Sequence, residues 1–427
     1  MGCKVNFYDT EAMLGLFQRS GYEIVPFEAG ADIYIINTCS VTNLGDKKSR
    51  QMIRRAAGRG ALVIAAGCYA QVNAGQVSQI EGVNLVIGTK DRGRIVELAE
   101  AYNENMGVSS HVTDMSGNTA WDLTDVSRFH SDAGRTRAFL KVEDGCDRYC
   151  SYCIIPFARG PVRSRPPSDV LDEARRMAAD GYKEIVLTGI HVASYGKDLK
   201  NTSLIEIIPL LNGLDGVERI RLSSVEPSFI NDRFLDVIRV SPKLCDHFHL
   251  SLQSGSDSVL KRMNRRYTCG QYVEAVNMLR SILPDVSLTT DIIVGFPGET
   301  EAEFSQTLSL AESVGFSKIH VFPFSPKIGT AAAGMPGQIG EPAKSERVRM
   351  LLSLSERLSK AYMNAFIGKT LSVLFERPRA SGVYEGYAPN YIKARVSCPK
   401  DISNQIRAIY VDNIKDGCVH GMLLQNG

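Results

Sequence analysis

No stretch of this 427-residue chain approaches the roughly 20 consecutive apolar residues that a helix needs to cross a bilayer. The N-terminus also lacks the apolar core of a secretory leader. These absences set the expectation of a cytoplasmic protein. Tryptophan is nearly missing, with Trp121 alone. Ten cysteines in a chain of this size are too few for a disulfide scaffold, and in a reducing compartment cysteines tend to serve metals or catalysis. There is no surplus of charge either: the net charge is +2, so nothing global marks a nucleic-acid binder. What remains, 44% hydrophobic and 22% charged, is an ordinary globular composition. The length suits two or three domains.

The most informative local feature is the run Cys146-Asp147-Arg148-Tyr149-Cys150-Ser151-Tyr152-Cys153. This CxxxCxxC spacing lets one short turn present three thiolates to a cubane iron-sulfur cluster, leaving one of four irons open to a ligand that binds through oxygen and nitrogen. A structural zinc site is the alternative. Structural zinc takes four protein ligands, and no fourth Cys or His follows at a finger-like spacing.

The first hundred residues alternate strand and helix. Strands are expected at Asp32 to Asn37, Ala61 to Ala66 and Leu85 to Ile87, and helices near Thr10 to Arg19, Gly45 to Ala57 and Arg92 to Tyr102. This pattern reads as a small parallel sheet with helices on its faces. Cys39 and Cys68 fall just past strand ends, and Cys3 in Gly2-Cys3-Lys4 has the same look. Strand ends of a parallel sheet share one edge, so the three could converge on a second site. The competing reading is three buried thiols acting as small hydrophobes.

A polar stretch from Asn103 to Arg135 reads as a linker. Six strand-helix alternations follow, with strands near Phe139 to Val142, Glu184 to Leu187, Arg219 to Leu222, His247 to Leu250, Leu288 to Val294 and Lys318 to Phe322. Six units suggest an open relative of the eight-fold barrel, whose chemistry sits at the C-terminal strand ends. A charged amphipathic helix from Glu341 to Phe366 leads to short strands at Leu371 to Phe375, Ile392 to Val396, Ile406 to Val411 and His420 to Leu424, as in a small antiparallel barrel. Tyr384, Tyr387 and Tyr391, interleaved with Lys369, Arg377, Arg379, Lys393 and Arg395, could stack bases and bind phosphates, or simply fill the core and rim. Three basic patches could also meet phosphates, or be solvated helix faces and turns: Lys47, Lys48, Arg50, Arg54, Arg55 and Arg59; Arg159, Arg163 and Arg165; and Lys261, Arg262, Arg265 and Arg266.

The Cys146 to Cys153 loop, with Tyr152 before its last cysteine, resembles the radical S-adenosylmethionine (SAM) superfamily. Gly2-Cys3-Lys4-Val5-Asn6, Asn37-Thr38-Cys39, Gly67-Cys68 and Ile293-Val294-Gly295-Phe296-Pro297-Gly298-Glu299-Thr300 extend the likeness over essentially the whole chain to the methylthiotransferases. The resemblance implies an α/β protein. It would have a parallel αβα domain at 1–102, a linker at 103–135, a partial (βα)6 radical SAM barrel at 136–366 and a small antiparallel TRAM barrel at 367–427. It implies a 4Fe-4S cluster on Cys146, Cys150 and Cys153 that binds and cleaves SAM, and an auxiliary 4Fe-4S cluster on Cys3, Cys39 and Cys68 that donates sulfur. Tyr152 would stand against the cofactor. From their barrel positions Glu226 and Gln253 can hydrogen-bond SAM, and Gly295 can let the backbone approach it, with a purely structural role as the alternative.

The run Arg159-Gly160-Pro161-Val162-Arg163-Ser164-Arg165 resembles the branch acting on N6-threonylcarbamoyladenosine beside the tRNA anticodon. The implied partners are a tRNA anticodon arm, a reducing electron donor and a sulfur source, with no membrane. Isopentenyladenosine in tRNA or a ribosomal protein aspartate are alternative substrates, and a non-catalytic RNA-binding metalloprotein is the alternative of another class. Relatives place a strand before the Gly-Cys-Lys motif, whereas here Met1 directly precedes Gly2, so the expectation is either a truncated or misassigned start or a Cys3 on a loose end.

Overall fold

The computed structural model describes residues 2–103, 105, 107–118, 121, 136–378 and 382–424. In the N-terminal unit β1 (Ile33–Thr38), β2 (Leu62–Gly67), β3 (Leu85–Ile87) and β4 (Ser109–His111) form a parallel sheet in that order. Strands β1 to β3 read as largely apolar runs because both faces are covered. Tyr34, Ile36, Val63 and Ala65 pack with Ile53 of helix α2 (Asn43–Ala57), while Ile64, Ala66, Leu85 and Ile87 pack with Met13 and Phe17 of helix α1 (Lys4–Arg19). Strand β4 lies in the stretch expected as a linker, most of whose remainder falls outside the described residues.

Helix α1 starts at Lys4 rather than near Thr10, and Cys3 is its N-cap: the Asn6 N–H donates to Cys3 Sγ at 3.4 Å. Val5, Tyr8, Ala12 and Met13 form its buried stripe. Cys3 thus caps a helix whose following residues Val5 and Tyr8 are buried, while Cys3 itself stays exposed.

The central unit carries β5 (Arg137–Lys141), the short antiparallel pair β6 (Glu143–Asp144) and β7 (Arg163–Ser164), then β8 (Glu184–Thr188), β9 (Arg219–Leu222), β10 (His247–His249), β11 (Ser287–Val294) and β12 (Lys318–Pro323). Parallel pairing runs β5-β8-β9 and β10-β11-β12, and parallel bridges Ile220↔Leu244 and Val225↔Leu250 join the two halves. Successive side chains alternate. Ile220, Leu222, Phe248, Leu250, Leu288 and Ile292 enter the core beneath the surrounding helices, and Arg221, His247, His249, Thr289 and Asp291 face the lumen.

β5 pairs with β8 and β12 with β11 alone, so the sheet stays open between its edges. The N-terminal unit bridges that gap. On one side Phe7 meets Phe139 with ring centroids 5.5 Å apart, and Lys141 Nζ lies 3.0 Å from Asp9. On the other, the Asn43 N–H donates to Ser325 Oγ at 3.2 Å and buried Lys327 pairs with Asp46 at 2.5 Å.

After the helix Glu341–Asn364, strands β13 (Thr370–Phe375), β14 (Val383–Tyr387), β15 (Lys393–Ser397), β16 (Ile406–Lys415) and β17 (Cys418–Leu423) close into a barrel ordered β13-β14-β15-β17-β16. β14 was not expected from sequence, where Gly382 and Gly386 read as punctuation. Gly386 is a strand residue because a Cβ there would meet Leu374 O at 2.3 Å.

The tyrosines offered for base stacking are otherwise employed. Tyr384 lies in the small barrel's core. Tyr387 stacks on Tyr391 at 5.0 Å, Tyr391 on His247 at 4.7 Å, and Arg137 and Arg221 cover their faces at 4.6 and 4.5 Å. These contacts plug the N-terminal end of the central strands. Arg395 and Lys393 pair with Glu385, Lys369 pairs with Asp285, and Arg379 lies outside the described residues.

Candidate active site

The CxxxCxxC loop leaves β5 and β6 at the C-terminal end of the central sheet. Gly145 has φ +88, and a Cβ there would overlap Pro161 O. This close approach lets the Cys146 N–H donate to Gly160 O at 3.0 Å. Farther along, the Ser151 N–H and Oγ–H donate to Met263 O and Arg262 O at 3.0 and 2.8 Å, and Asn264 donates to Tyr149 O at 2.9 Å. Both ends of the loop are thus fixed. Cys146, Cys150 and Cys153 lie within electrostatic reach of one another, and burial pushes the thiols of Cys146 and Cys153 up to about 12. Tyr152 packs with Val259, Met263, Phe296 and Phe324, and burial and the nearby Cys150 raise its hydroxyl well above the ordinary range.

Glu226 organises this loop. It pairs with Arg148 at 2.7 Å, Arg265 at 3.0 Å and His191 at 3.3 Å. Burial opposes its ionisation, but His191, Arg265 and Arg148 outweigh that and hold it near 2. Arg265 also donates to Cys150 Sγ at 3.2 Å. Sequence reasoning chose Glu226 but missed Arg148 and Arg265, whose role depends on contacts across the fold.

Buried Gln253 has φ +68 and ties β11 through Gln253 N to Asp291 O at 2.9 Å. Gly295 donates to Glu299 at 2.6 Å, and the space a Cβ would take is filled by the stem of Lys344, whose Cγ would lie 2.4 Å away. At Gly295 the space beside Cα is thus occupied by a side chain of this protein.

The N-terminal cysteines gather at the edge of their sheet. Cys39 follows β1, and Cys68 opens the helix Cys68–Val72 directly after β2. Asn6 Nδ2 donates to Asn37 Oδ1 and Thr38 O, both at 3.0 Å, and Asn37 Nδ2 donates back to Asn6 O at 2.8 Å. Gly67 has φ +95, and a Cβ there would lie 2.3 Å from Asn37 Oδ1. One polar knot thus fixes the three segments that carry Cys3, Cys39 and Cys68. Their thiols are within electrostatic reach of each other, and burial raises those of Cys3 and Cys39. Cys153 and Cys68 are likewise within reach, so the two cysteine groups adjoin.

Among the described residues no three His, Cys, Asp or Glu side chains stand close enough for a single metal ion. A four-iron cube spreads its corner irons, so its three thiolates stand farther apart than the ligands of one ion.

A buried ion network lies between the groups. Asp9 pairs with Arg92, with Arg159 at 2.8 Å and with Lys141 at 3.0 Å. Asp144 pairs with Lys141 at 2.6 Å, Arg159 at 3.0 Å, Arg92 at 3.6 Å and Arg163 at 3.8 Å. Both carboxyls are held below the usual range despite burial. Four cations thus face two carboxylates, a surplus that is costly in a buried setting unless further anions adjoin. The Arg159 Nε–H points at Cys68 Sγ, 3.3 Å away, so thiolates are the anions that fit. This also corrects the phosphate reading of Arg159, Arg163 and Arg165, all of which are buried.

An open three-thiolate loop at the C-terminal end of a partial parallel barrel defines a radical SAM enzyme. A family model described as the radical SAM superfamily matches residues 140–311, and one described as uncharacterized protein family UPF0004 matches residues 1–88. The chain is 42% identical to threonylcarbamoyladenosine tRNA methylthiotransferase MtaB of Bacillus subtilis (strain 168), covering 95% of this chain and 91% of that protein. It is 40% identical to the protein of the same name from Thermotoga maritima, covering 92% and 89%. It is 35% identical to a tRNA-2-methylthio-N(6)-dimethylallyladenosine synthase of Thermoanaerobacter pseudethanolicus, covering 88% and 80%. The chain belongs to the radical SAM methylthiotransferase family. In fold it is similar to the radical S-adenosylmethionine methyltransferase TsrM of Kitasatospora setae, with a TM-score of 0.60 at 15% identity over 76% of this chain and 74% of that one. The family implies a 4Fe-4S cluster and SAM, and the Cys146, Cys150 and Cys153 loop fits that cluster.

Proposed function

We propose that this protein inserts a methylthio group at C2 of N6-threonylcarbamoyladenosine beside the anticodon of a tRNA. The observation that carries the reading is the adjacency of two three-cysteine groups, with Cys153 within electrostatic reach of Cys68. Substitution at a ring C–H needs hydrogen removal and sulfur delivery at one carbon, so the two cofactor sites must face the same base. When bound, SAM on the Cys146, Cys150 and Cys153 cluster supplies the radical, and an auxiliary 4Fe-4S cluster on Cys3, Cys39 and Cys68 supplies the sulfur. Glu226, Arg148 and Arg265 fix the first site, and the asparagine knot and Arg159 fix the second. No general base is required. Electrons come from a low-potential reductant and sulfur from a sulfide source.

Relatives named for threonylcarbamoyladenosine share 42%, 40% and 36% identity, against 32% to 35% for those named for dimethylallyladenosine. This difference favours the first substrate. The tRNA would approach across the exposed basic face of α2, with Lys47, Lys48 and Arg54, and past Tyr149 and Phe157, which are 52% and 53% exposed beside the cluster loop.

The test combines nucleoside mass spectrometry of tRNA from a deletion strain with assays of reconstituted enzyme. Loss of the methylthio derivative of threonylcarbamoyladenosine is expected. Cys68→Ala should keep SAM cleavage and lose the product, and the triple alanine variant of Cys146, Cys150 and Cys153 should lose both. Unchanged nucleosides in the deletion strain, or full product from Cys68→Ala, would overturn the reading.

A further inference from the structure

The lumen of the central barrel is basic in a way that the two cysteine sites do not use. Three of the chain's seven histidines relate to it: His247 and His249 on β10 and His320 on β12. His247 is committed, stacked on Tyr391 and hydrogen-bonded to Thr289 at 3.0 Å, and forms the floor. Above it His249 contacts Thr289 at 3.0 Å and Asp291 at 3.3 Å, and its ring lies 5.8 Å from that of His320. His320 stands on the open edge strand, exposed and with no hydrogen-bond partner among the described residues. Lys4 follows Cys3 and lies within electrostatic reach of Arg221, Arg137, Glu184, His247 and His320, with no ion pair of its own among the described residues. Deeper in the lumen Arg221 is already paired with Glu184 at 2.7 Å. One carboxylate, Asp291, thus adjoins both His249 and His320, and Lys4 adds a third basic side chain within reach of His320.

We propose that Lys4, His249 and His320 form a subsite for a carboxylate, and that its occupant is the free carboxylate of the threonyl group carried on N6 of the substrate adenine. This rests on the threonylcarbamoyladenosine reading. A base worked on at C2 must leave its stack and enter the barrel, and its N6 substituent is carried in with it. A tRNA phosphate stays on the strand outside. An apolar dimethylallyl group would leave Lys4 and His320 without partners in a partly desolvated space, whereas a carboxylate accepts N–H groups from the ammonium and from imidazole in either charge state. Asp291 remains as acceptor for the threonyl hydroxyl or the carbamoyl N–H.

The test is the binding of reconstituted protein to three fluorescent anticodon hairpins, bearing threonylcarbamoyladenosine, its carboxylate methyl ester, or unmodified adenosine. SAM is omitted so that its own carboxylate plays no part. The acid should bind about tenfold tighter than the ester, as one charge-assisted hydrogen bond allows. His320→Gln should reduce that ratio toward one and leave the affinity for the ester unchanged, and Lys4→Gln should do the same. His320 is exposed on an edge strand, so its variant folds without repacking and is decisive; Lys4→Gln is scored on protein with wild-type iron content. A wild-type protein that methylthiolates the acid hairpin yet binds acid and ester equally overturns the subsite and leaves the function standing. An acid preference that survives both substitutions overturns it too. A protein that methylthiolates only dimethylallyladenosine hairpins removes the functional reading itself.

Discussion

Arg159 holds its Nε 3.3 Å from Cys68 Sγ while its two terminal nitrogens grip Asp144 and Asp9 at 3.0 and 2.8 Å. One fully buried guanidinium therefore connects helix α1, the β6 segment and the proposed auxiliary site. Replacing it with Met keeps the volume and removes the charge. Asp9 and Asp144 would keep Lys141, Arg92 and Arg163, so the cost should fall at the lower end for a broken buried pair, about 3 kcal/mol. Urea unfolding checks this. In parallel, iron release to a chelator should become faster from the auxiliary site and stay unchanged from the Cys146, Cys150 and Cys153 site. Wild-type release from both would show that Arg159 serves stability alone.

Tyr391 links the C-terminal barrel to the central one through stacking on Tyr387 and His247 and through the faces of Arg137 and Arg221. Tyr391→Ala should cost about 2–3 kcal/mol from these aromatic and cation–π contacts. The C-terminal barrel has its own core of Val373, Phe375, Ala394 and Val419. It should therefore loosen from its neighbour rather than unfold, and limited proteolysis should cut near Gly368. Tyr391→Phe should lose only the hydrogen bond from Arg137 at 3.1 Å and behave nearly as wild type.

How much of this could be read in the chain follows from the range of each interaction. The CxxxCxxC loop and the strand-end positions of Cys39 and Cys68 were legible because spacing and apolar runs are local. The six central strands appeared within two residues of expectation for the same reason. The ion network was not legible. Asp9, Arg92, Asp144 and Arg159 are scattered, and a lone charge in a helix normally faces water. The one trace is Asp9 directly after Tyr8 on the buried stripe of α1. The early start of α1 was not legible because a cysteine is a rare N-cap and the helix opens with Lys4-Val5-Asn6-Phe7. The tyrosines of the C-terminal barrel stay open between base stacking and a core or rim role in the sequence, because an interdomain plug and a base-stacking platform share the same composition.

Glu303 gives a pH test away from the cysteines. It occupies the third position of the capping box begun by Thr300. The side-chain hydrogen bond from Arg262, 3.0 Å away, is the main cause that holds Glu303 near 2. A folded-state value below the unfolded one stabilises the fold above the ordinary carboxylate range of about 4.3, and that contribution is lost as pH falls toward 2. The full shift would correspond to about 3 kcal/mol, but Arg262 is one-third exposed and screening reduces this to about 1 kcal/mol. Glu303→Gln keeps a capping acceptor and loses the charge. It should be less stable by that amount at pH 7 and equal to wild type near pH 2, as measured by denaturant unfolding of the apoprotein. An equal difference at both pH values would assign the effect to packing.

The last prediction concerns where the tRNA is held. Of the three basic patches in the sequence, Arg159, Arg163 and Arg165 are buried, and in the third Arg265 and Arg262 are bound to Glu226 and Glu303. Arg55 on α2 and Arg59 just beyond it pair with Glu28, but Lys47, Lys48 and Arg54 on α2 are exposed. Thr42 caps this helix three residues after Cys39, so its basic face begins beside the site. The C-terminal barrel, by contrast, spends Lys393 and Arg395 on Glu385 and Lys369 on Asp285. Each phosphate that the protein no longer neutralises should lower the slope of log K against log salt by about one. Replacing Lys47, Lys48 and Arg54 with Ala together should therefore flatten the slope for tRNA by about two to three. Replacing Lys369, Lys393 and Arg395 should change it by less than about one. The reverse order of effects would move the tRNA to the C-terminal barrel and leave α2 as a solvated helix face.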